Sequence, residues 1–252
     1  MLGYRELILY KTYADLRVEA ERTYIGFLWW VLDPILSMSI YYVVFGVLFQ
    51  RGTENYVAFL FIGLVPWRWQ TASLSHAGNS LIAGRNLMQQ VHLPKVVFPM
   101  VSMLTDVVKF CFVFTILLIF LQIYGCPLGW PYLALPAVVL VQSMFIAASC
   151  FILAGIVPFA PDLQKFVDYL FRLLFFASGI FWSIDSINNP QYQFYLRLNP
   201  VAALIENYRS ILLYNRWPSA GTLLTIALLS IAGASIGIWI IGRNDRKYPK
   251  LV

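Results

Sequence analysis

The residue types that ordinarily carry bond chemistry are few in this chain and lie far apart. His76 and His92 are the only histidines, and neither has metal-ligand spacing to a partner. Cys111, Cys126 and Cys150 are odd in number and lack CxxC spacing, and two fall inside apolar segments, so neither a disulfide framework nor a metal site is expected. Asp33, Asp106, Asp162 and Asp185 are scattered and suggest no acid–base pair. There is no HExxH, no GxSxG, and no GxxxxGK run followed by Ser or Thr, so the chain is not expected to bind ATP through a phosphate loop. What its side chains offer is binding chemistry. Tyr41, Tyr42 and Phe45, and then Phe171, Phe175 and Phe176, recur at helical spacing. Such rings can pack on the apolar faces of sugars while tyrosine hydroxyls bond to sugar hydroxyls, which suits a polymer that is guided without being held tightly. Packing between helices or against lipid is the competing role for every one of these rings. Residues 84–99, GRNLMQQVHLPKVVFP, place Arg85, Lys95 and two prolines between long apolar segments, where an outside engine can grip.

The elements that must position these residues are membrane helices. The chain has 252 residues, 60% of them hydrophobic, 17% aromatic and 12% charged, with a mean hydropathy of +0.71. A soluble domain carries about 25% charge, so this is the composition of a polytopic membrane protein. The net charge of +6 comes without a basic run or stripe, and nucleic acid is not expected as a partner. The expected fold is all-α, a single domain over 1–252. An amphipathic interfacial helix occupies 1–26, with Leu9, Tyr13, Leu16 and Ala20 at helical spacing; a solvated leader helix is the alternative. No cleaved signal peptide is expected. Six spans follow at 27–49, 56–81, 97–124, 132–158, 166–183 and 220–241, each long enough for a hydrocarbon core of about 30 Å. Pro34 falls near the start of the first span and Pro66 within the second, where Arg68 is expected to face protein, water or an interface. Asp106 and Lys109 are spaced to pair within the third. Residues 184–219 are expected to hold one or two short helices dipping back toward the membrane. Gly233, Ala234 and Gly237 permit close helix packing in the last span.

Six spans put both termini on one side. Eleven Lys and Arg fall on that side and four on the other, which places both termini and residues 84–97 in the cytoplasm.

Four stretches, in order, resemble ABC-2-type permeases that export polysaccharides. They are RTYIGFLWWVLDPILSMSIYYVVFG at 22–46, FLFIGLVPWRW at 59–69, NSLIAGRNLMQQVHLPKVVFP at 79–99 and LNPVAALIENYRSILL at 198–213. The likeness covers essentially the whole chain and is nearest to permease subunits of O-antigen exporters, with capsule and teichoic-acid exporters as relatives. Asp33 stands where many of these proteins have Glu or Gln, a change that keeps a polar acceptor. The resemblance implies a homodimer in the bacterial inner membrane that forms one channel. It implies two copies of a separate ABC ATPase, which hold the ATP and Mg, and no cofactor in this chain. Arg85, Asn86, Leu87, Met88, Gln89, Gln90, Val91, His92, Leu93 and Pro94 match the coupling helix that sits in the ATPase. The 199–215 region, with Asn199, Pro200, Glu206, Tyr208 and Arg209, matches short re-entrant helices that gate the outer side. The implied substrate is a glycan on undecaprenyl diphosphate, and Arg5, Lys11, Arg17 and Arg22 can attract its diphosphate; setting topology and binding anionic lipid are their competing roles. Two rivals remain: an ABC-2 exporter of drugs or small lipids, and a membrane enzyme acting on lipid-linked sugars, which needs a clustered acid, base or metal site.

Overall fold

The computed structural model describes residues 2–21, 26–48, 55–91, 93–183, 187 and 189–251. Arg22 and His92, both singled out above, lie outside these residues, and so does the side chain of Phe45. Every described regular element is helical.

Helix α1 (Leu2–Glu21) is continuous, but it lacks the single apolar side expected of it. Leu9, Tyr13, Leu16 and Ala20 share one side of it, but Tyr10 and Val18 are exposed on others and Thr12 is buried. The helix packs on α5, and its apolar residues as a whole favour no one side. Gly26, at φ +57°, then turns the chain toward α2. A Cβ there would stand 2.9 Å from the Ala20 carbonyl oxygen, so the turn requires glycine.

Helix α2 (Trp29–Tyr41) carries Pro34 in its second turn and continues as a π-helical stretch over Tyr42–Leu48. Helix α3 (Tyr56–Ala83) runs for 28 residues, about 42 Å at the ordinary rise per residue. It is largely buried by its neighbours, Gln70 and Ser73 included, whereas His76 is exposed. Short α4 (Arg85–Gln90) precedes α5 (Val97–Ile123). A 3₁₀ turn over Trp130–Ala134 leads into α6 (Leu135–Ile156). Next come α7 (Asp162–Ala177), α8 (Pro190–Arg197), α9 (Pro200–Leu212), α10 (Ala220–Arg243) and α11 (Tyr248–Leu251).

Among the described residues, three helical segments are long and apolar enough to cross a membrane: Val97–Ile123, Trp130–Ile156 and Ala220–Arg243. A shorter apolar helix covers Trp29–Val44. The fifth expected span departs most from expectation. Its helix starts at Asp162, directly after Pro161, and stops at Ala177, so its 16 residues reach only about 24 Å. Gly179 at φ +66° ends it, and the aromatic run through Trp182 continues outside the helix.

Two contacts fix the body. Helices α6 and α10 meet at glycines: a Cβ on Gly237 would stand 2.6 Å from the Phe151 Cβ and 2.7 Å from the Ile152 backbone nitrogen. Gln142 of α6 donates to the Pro66 carbonyl at 3.0 Å and accepts from the Tyr208 hydroxyl at 2.8 Å. That pair ties α3, α6 and α9 together and satisfies buried polar groups inside the protein, as an apolar environment demands.

Candidate functional site

Helices α1, α2, α3, α5 and α7 enclose a groove of about 960 Å³. Its aromatic wall comes from α2, α3, α5 and α7, with Phe181 of the turn after α7 packed behind it. Tyr41 of α2 lies 5.5 Å from Phe175 and 4.9 Å from Phe181, measured between ring centres. Trp67 of α3 lies 5.9 Å from Phe171 and 5.6 Å from Phe175, and Phe175 and Phe176 are 5.5 Å apart. The helical repeat explains the grouping, because Phe171 and Phe175 are separated by one turn of α7 and share its inward side. Four of the six rings singled out by spacing (Tyr41, Phe171, Phe175 and Phe176) therefore line one groove. Tyr42 is not among the lining residues; it is exposed at the start of the π-helical stretch. Trp29, Trp30, Trp67, Trp69 and Phe110 supply the other rings of the lining. They carry no periodic signal between helices and meet only through the fold.

Ion pairs bridge the helices around this groove. Arg68 of α3 bonds to Asp33 and to the Ser37 hydroxyl, both on α2, so of protein, water or an interface it faces protein. His76 Nδ1 lies 3.0 Å from both carboxylate oxygens of Asp106, which is 3% exposed. Lys109 is 3.8 Å from Asp106, so the expected pair forms, but its nearer partner is Glu19 of α1 at 2.5 Å. The Trp30 indole N–H also donates to Glu19, at 3.1 Å. Pairing offsets the cost of holding these charges away from bulk water. It also occupies Arg68 and Lys109. On α1, Lys11 pairs with Asp15 and Arg17 with Glu21 at 2.7 Å, while Arg5 is exposed.

The segment after α3 is built differently. Helix α4 buries Met88 and keeps Arg85, Asn86, Gln89 and Gln90 exposed, with Val91 exposed just beyond and Leu87 half-buried. Leu93 is buried under the following turn. Lys95 departs from its expected role as a surface grip. It is 2% exposed, and its ammonium donates to the Leu93 carbonyl at 3.0 Å. Met88 shares a core with Leu81, Phe98, Phe151, Ala154, Ile241 and Tyr248.

At the far end of α3, α9 starts with Asn199, whose side chain accepts from the Val201 N–H at 3.0 Å and donates to Ser178 Oγ at 2.9 Å. Pro200 occupies the first helical position, which suits its missing N–H. Arg209 is 5% exposed and donates to the carbonyls of Gly179 at 2.6 Å, Ile180 at 2.9 Å and Phe59 at 3.2 Å. Glu206 and Arg209 border a smaller cavity of about 260 Å³. Tyr208 is buried against Gln142, so it serves the core rather than an open passage.

The family model described as ABC-2 type transporter matches residues 19–213, which span the groove, α4 and α9. The chain belongs to the ABC-2 type transporter family. Similarity over most of its length supports the same placement. This ABC-2 protein is 31% identical over 229 residues to the O-antigen export system permease protein RfbA of Myxococcus xanthus, covering 90% of this chain and 88% of that one. An RfbA of the same description from Klebsiella pneumoniae is 28% identical over 213 residues, covering 83% of this chain and 82% of its own. The polysialic acid transport protein KpsM of Escherichia coli is 22% identical over 234 residues, covering 89% of this chain and 88% of its own. As an ABC-2 permease the chain is a membrane transport subunit, and nucleotide binding belongs to a separate ABC ATPase.

Proposed function

We propose that this chain is the channel-forming permease subunit of an ABC transporter that exports a polysaccharide on an undecaprenyl diphosphate carrier across the bacterial inner membrane. The observation that carries the proposal is the aromatic groove, in a chain of this family whose relatives bear the names of O-antigen and polysaccharide exporters. Stacked and tilted rings offer a sugar chain many weak, interchangeable contacts and no single deep one. Two copies form one channel, each crossing the membrane six times, with α2 and its π-helical extension, α3, α5, the Trp130–Ile156 segment, α7 and α10 as the spans. Both termini lie in the cytoplasm. The exposed face of α4, from Arg85 to Gln90, together with the run through Pro94, seats in the ATPase. ATP binding closes the ATPase dimer, and α4 passes that motion to α3 and α5. Such a switch works only if α4 makes different contacts in the two ATPase states. The diphosphate is attracted by the exposed cation Arg5 together with Lys11, Arg17 and Arg22, and it competes for Lys11 and Arg17 with their local partners Asp15 and Glu21. Asn199, Pro200, Glu206, Tyr208 and Arg209 build the outer gate, Tyr208 and Arg209 from within its packing.

Deletion of the gene tests the substrate class. The expected outcome is loss of surface glycan, with undecaprenyl-linked glycan accumulating inside the cell. Normal surface glycan in the deletion strain would refute the reading and favour export of a drug or small lipid.

A further inference from the structure

Residues 244–251, which follow α10, fold back onto the segment that carries α4. Helix α11 packs on α4, and Tyr248 is fully buried in the same core as Met88 of α4 and Phe98 of α5. The Tyr248 hydroxyl donates to the Gly155 carbonyl of α6 at 2.9 Å, and its ring meets Phe159 at 5.4 Å. Burial, with the Asp245 charge nearby, pushes this phenol up to about 12, so it stays a donor throughout the physiological range. Asp245 supplies a second attachment: its carboxylate accepts the backbone N–H of Lys95 at 3.2 Å, at the joint between α4 and α5. The segment thus holds α4 and the joint that follows it, and fastens them to α6. Six residues are too few to hold a helix by their own hydrogen bonds, so the attitude of α4 depends on what packs beneath it.

We propose that residues 244–251 form a clasp that fixes the attitude of α4, with Tyr248 and Asp245 as positioning residues for the transfer of motion from the ATPase to the membrane helices. The clasp rests on the reading of α4 as the ATPase contact. Its role differs from simple stability: a loosened clasp leaves the ATPase bound and active but wastes its strokes.

The test uses the permease with its cognate ATPase. Surface glycan is measured in cells at equal expression, and ATP hydrolysis in the purified complex in lipid vesicles. Tyr248→Ala and Asp245→Ala are expected to lower glycan exported relative to ATP hydrolysed by about fivefold or more, the ordinary size of a lost coupling between sites. Tyr248→Phe keeps the ring and should recover most of the ratio. Gly233→Leu, which disturbs the α6–α10 contact at Ala148, outside the core that holds Tyr248, should lower export and hydrolysis together. A wild-type ratio in Tyr248→Ala, or the same fall in ratio in Gly233→Leu, overturns the clasp. A parallel arm separates the premise: Arg85→Glu with Gln89→Glu should weaken co-purification of the ATPase. If co-purification stays intact, the reading of α4 fails and the clasp with it. If it weakens while Tyr248→Ala keeps the wild-type ratio, the clasp alone fails.

Discussion

Arg209 illustrates what single side chains do here. Its guanidinium is buried, stacks 3.4 Å from the centre of the Phe59 ring, and donates to three backbone carbonyls. Two of those carbonyls belong to Gly179 and Ile180, just past the end of α7, where a cation offsets the partial negative charge of the helix end. Arg209 therefore joins α9 to α3 and to the turn that ends α7. Arg209→Ala would leave these carbonyls without that donor, and we expect a loss of about 3 kcal/mol, read as a lower melting temperature of the detergent-purified protein. Arg209→Lys supplies three donors but lacks the planar fork and should recover only part of the loss. From sequence, Arg209 reads as a gate residue by resemblance alone. Its burial and carbonyl partners had no signal, because Phe59 is 150 residues away along the chain. The same holds for Asp33 and Arg68, which are separated by 35 residues and paired across α2 and α3. Asp106 and Lys109 were legible because they share one helix turn.

At the scale of elements, long apolar runs bounded by Pro and Gly were readable to within about two residues. Expected spans at 97–124, 132–158 and 220–241 correspond to helices Val97–Ile123, Leu135–Ile156 with its 3₁₀ lead-in, and Ala220–Arg243. Helix α7 was not, for a physical reason. Asp162 and Lys165 look like loop residues in a hydropathy reading, yet Asp162 falls in the first turn of a helix, where a carboxylate is favourable. The aromatic run past Ala177 looks like more helix, but it is side-chain packing around a turn at Gly179. Helix α1 misled in the opposite way: Leu9, Tyr13, Leu16 and Ala20 share a side, but Tyr10 and Val18 place apolar surface on other sides and leave the helix without a single apolar one. The small residues of α10 gave a correct expectation of close packing, and they carry a test. A Cβ at Gly237 collides with Phe151 and the Ile152 backbone, whereas one at Gly242 meets nothing within 4 Å. Gly237→Ala should destabilise by about 2 kcal/mol through overpacking. Gly242→Ala should be neutral or slightly stabilising through helix propensity. Thermal melts of the two purified variants compare them directly, and equal melting points would show that α6 and α10 are not in register at Gly237.

The whole molecule has three parts: an aromatic groove, the short helix α4 and a body of closely packed helices. Topology is the first consequence. Single cysteines at Gln89 and at Trp130, in a background without Cys111, Cys126 and Cys150, should react oppositely with a membrane-impermeant thiol reagent. Intact cells should label position 130, and label position 89 only after the membrane is opened. The reverse pattern would invert the orientation. The most direct test of the central claim is capture of the cargo in the groove. A photoreactive amino acid is placed at Phe175, in the groove wall, or at Leu224, which is 62% exposed on α10 away from it. Cells carrying the partner ATPase are then illuminated. Cross-linking to glycan at position 175 and not at 224 is the result predicted; absence of glycan at 175, or equal capture at both positions, would contradict a conducting aromatic groove.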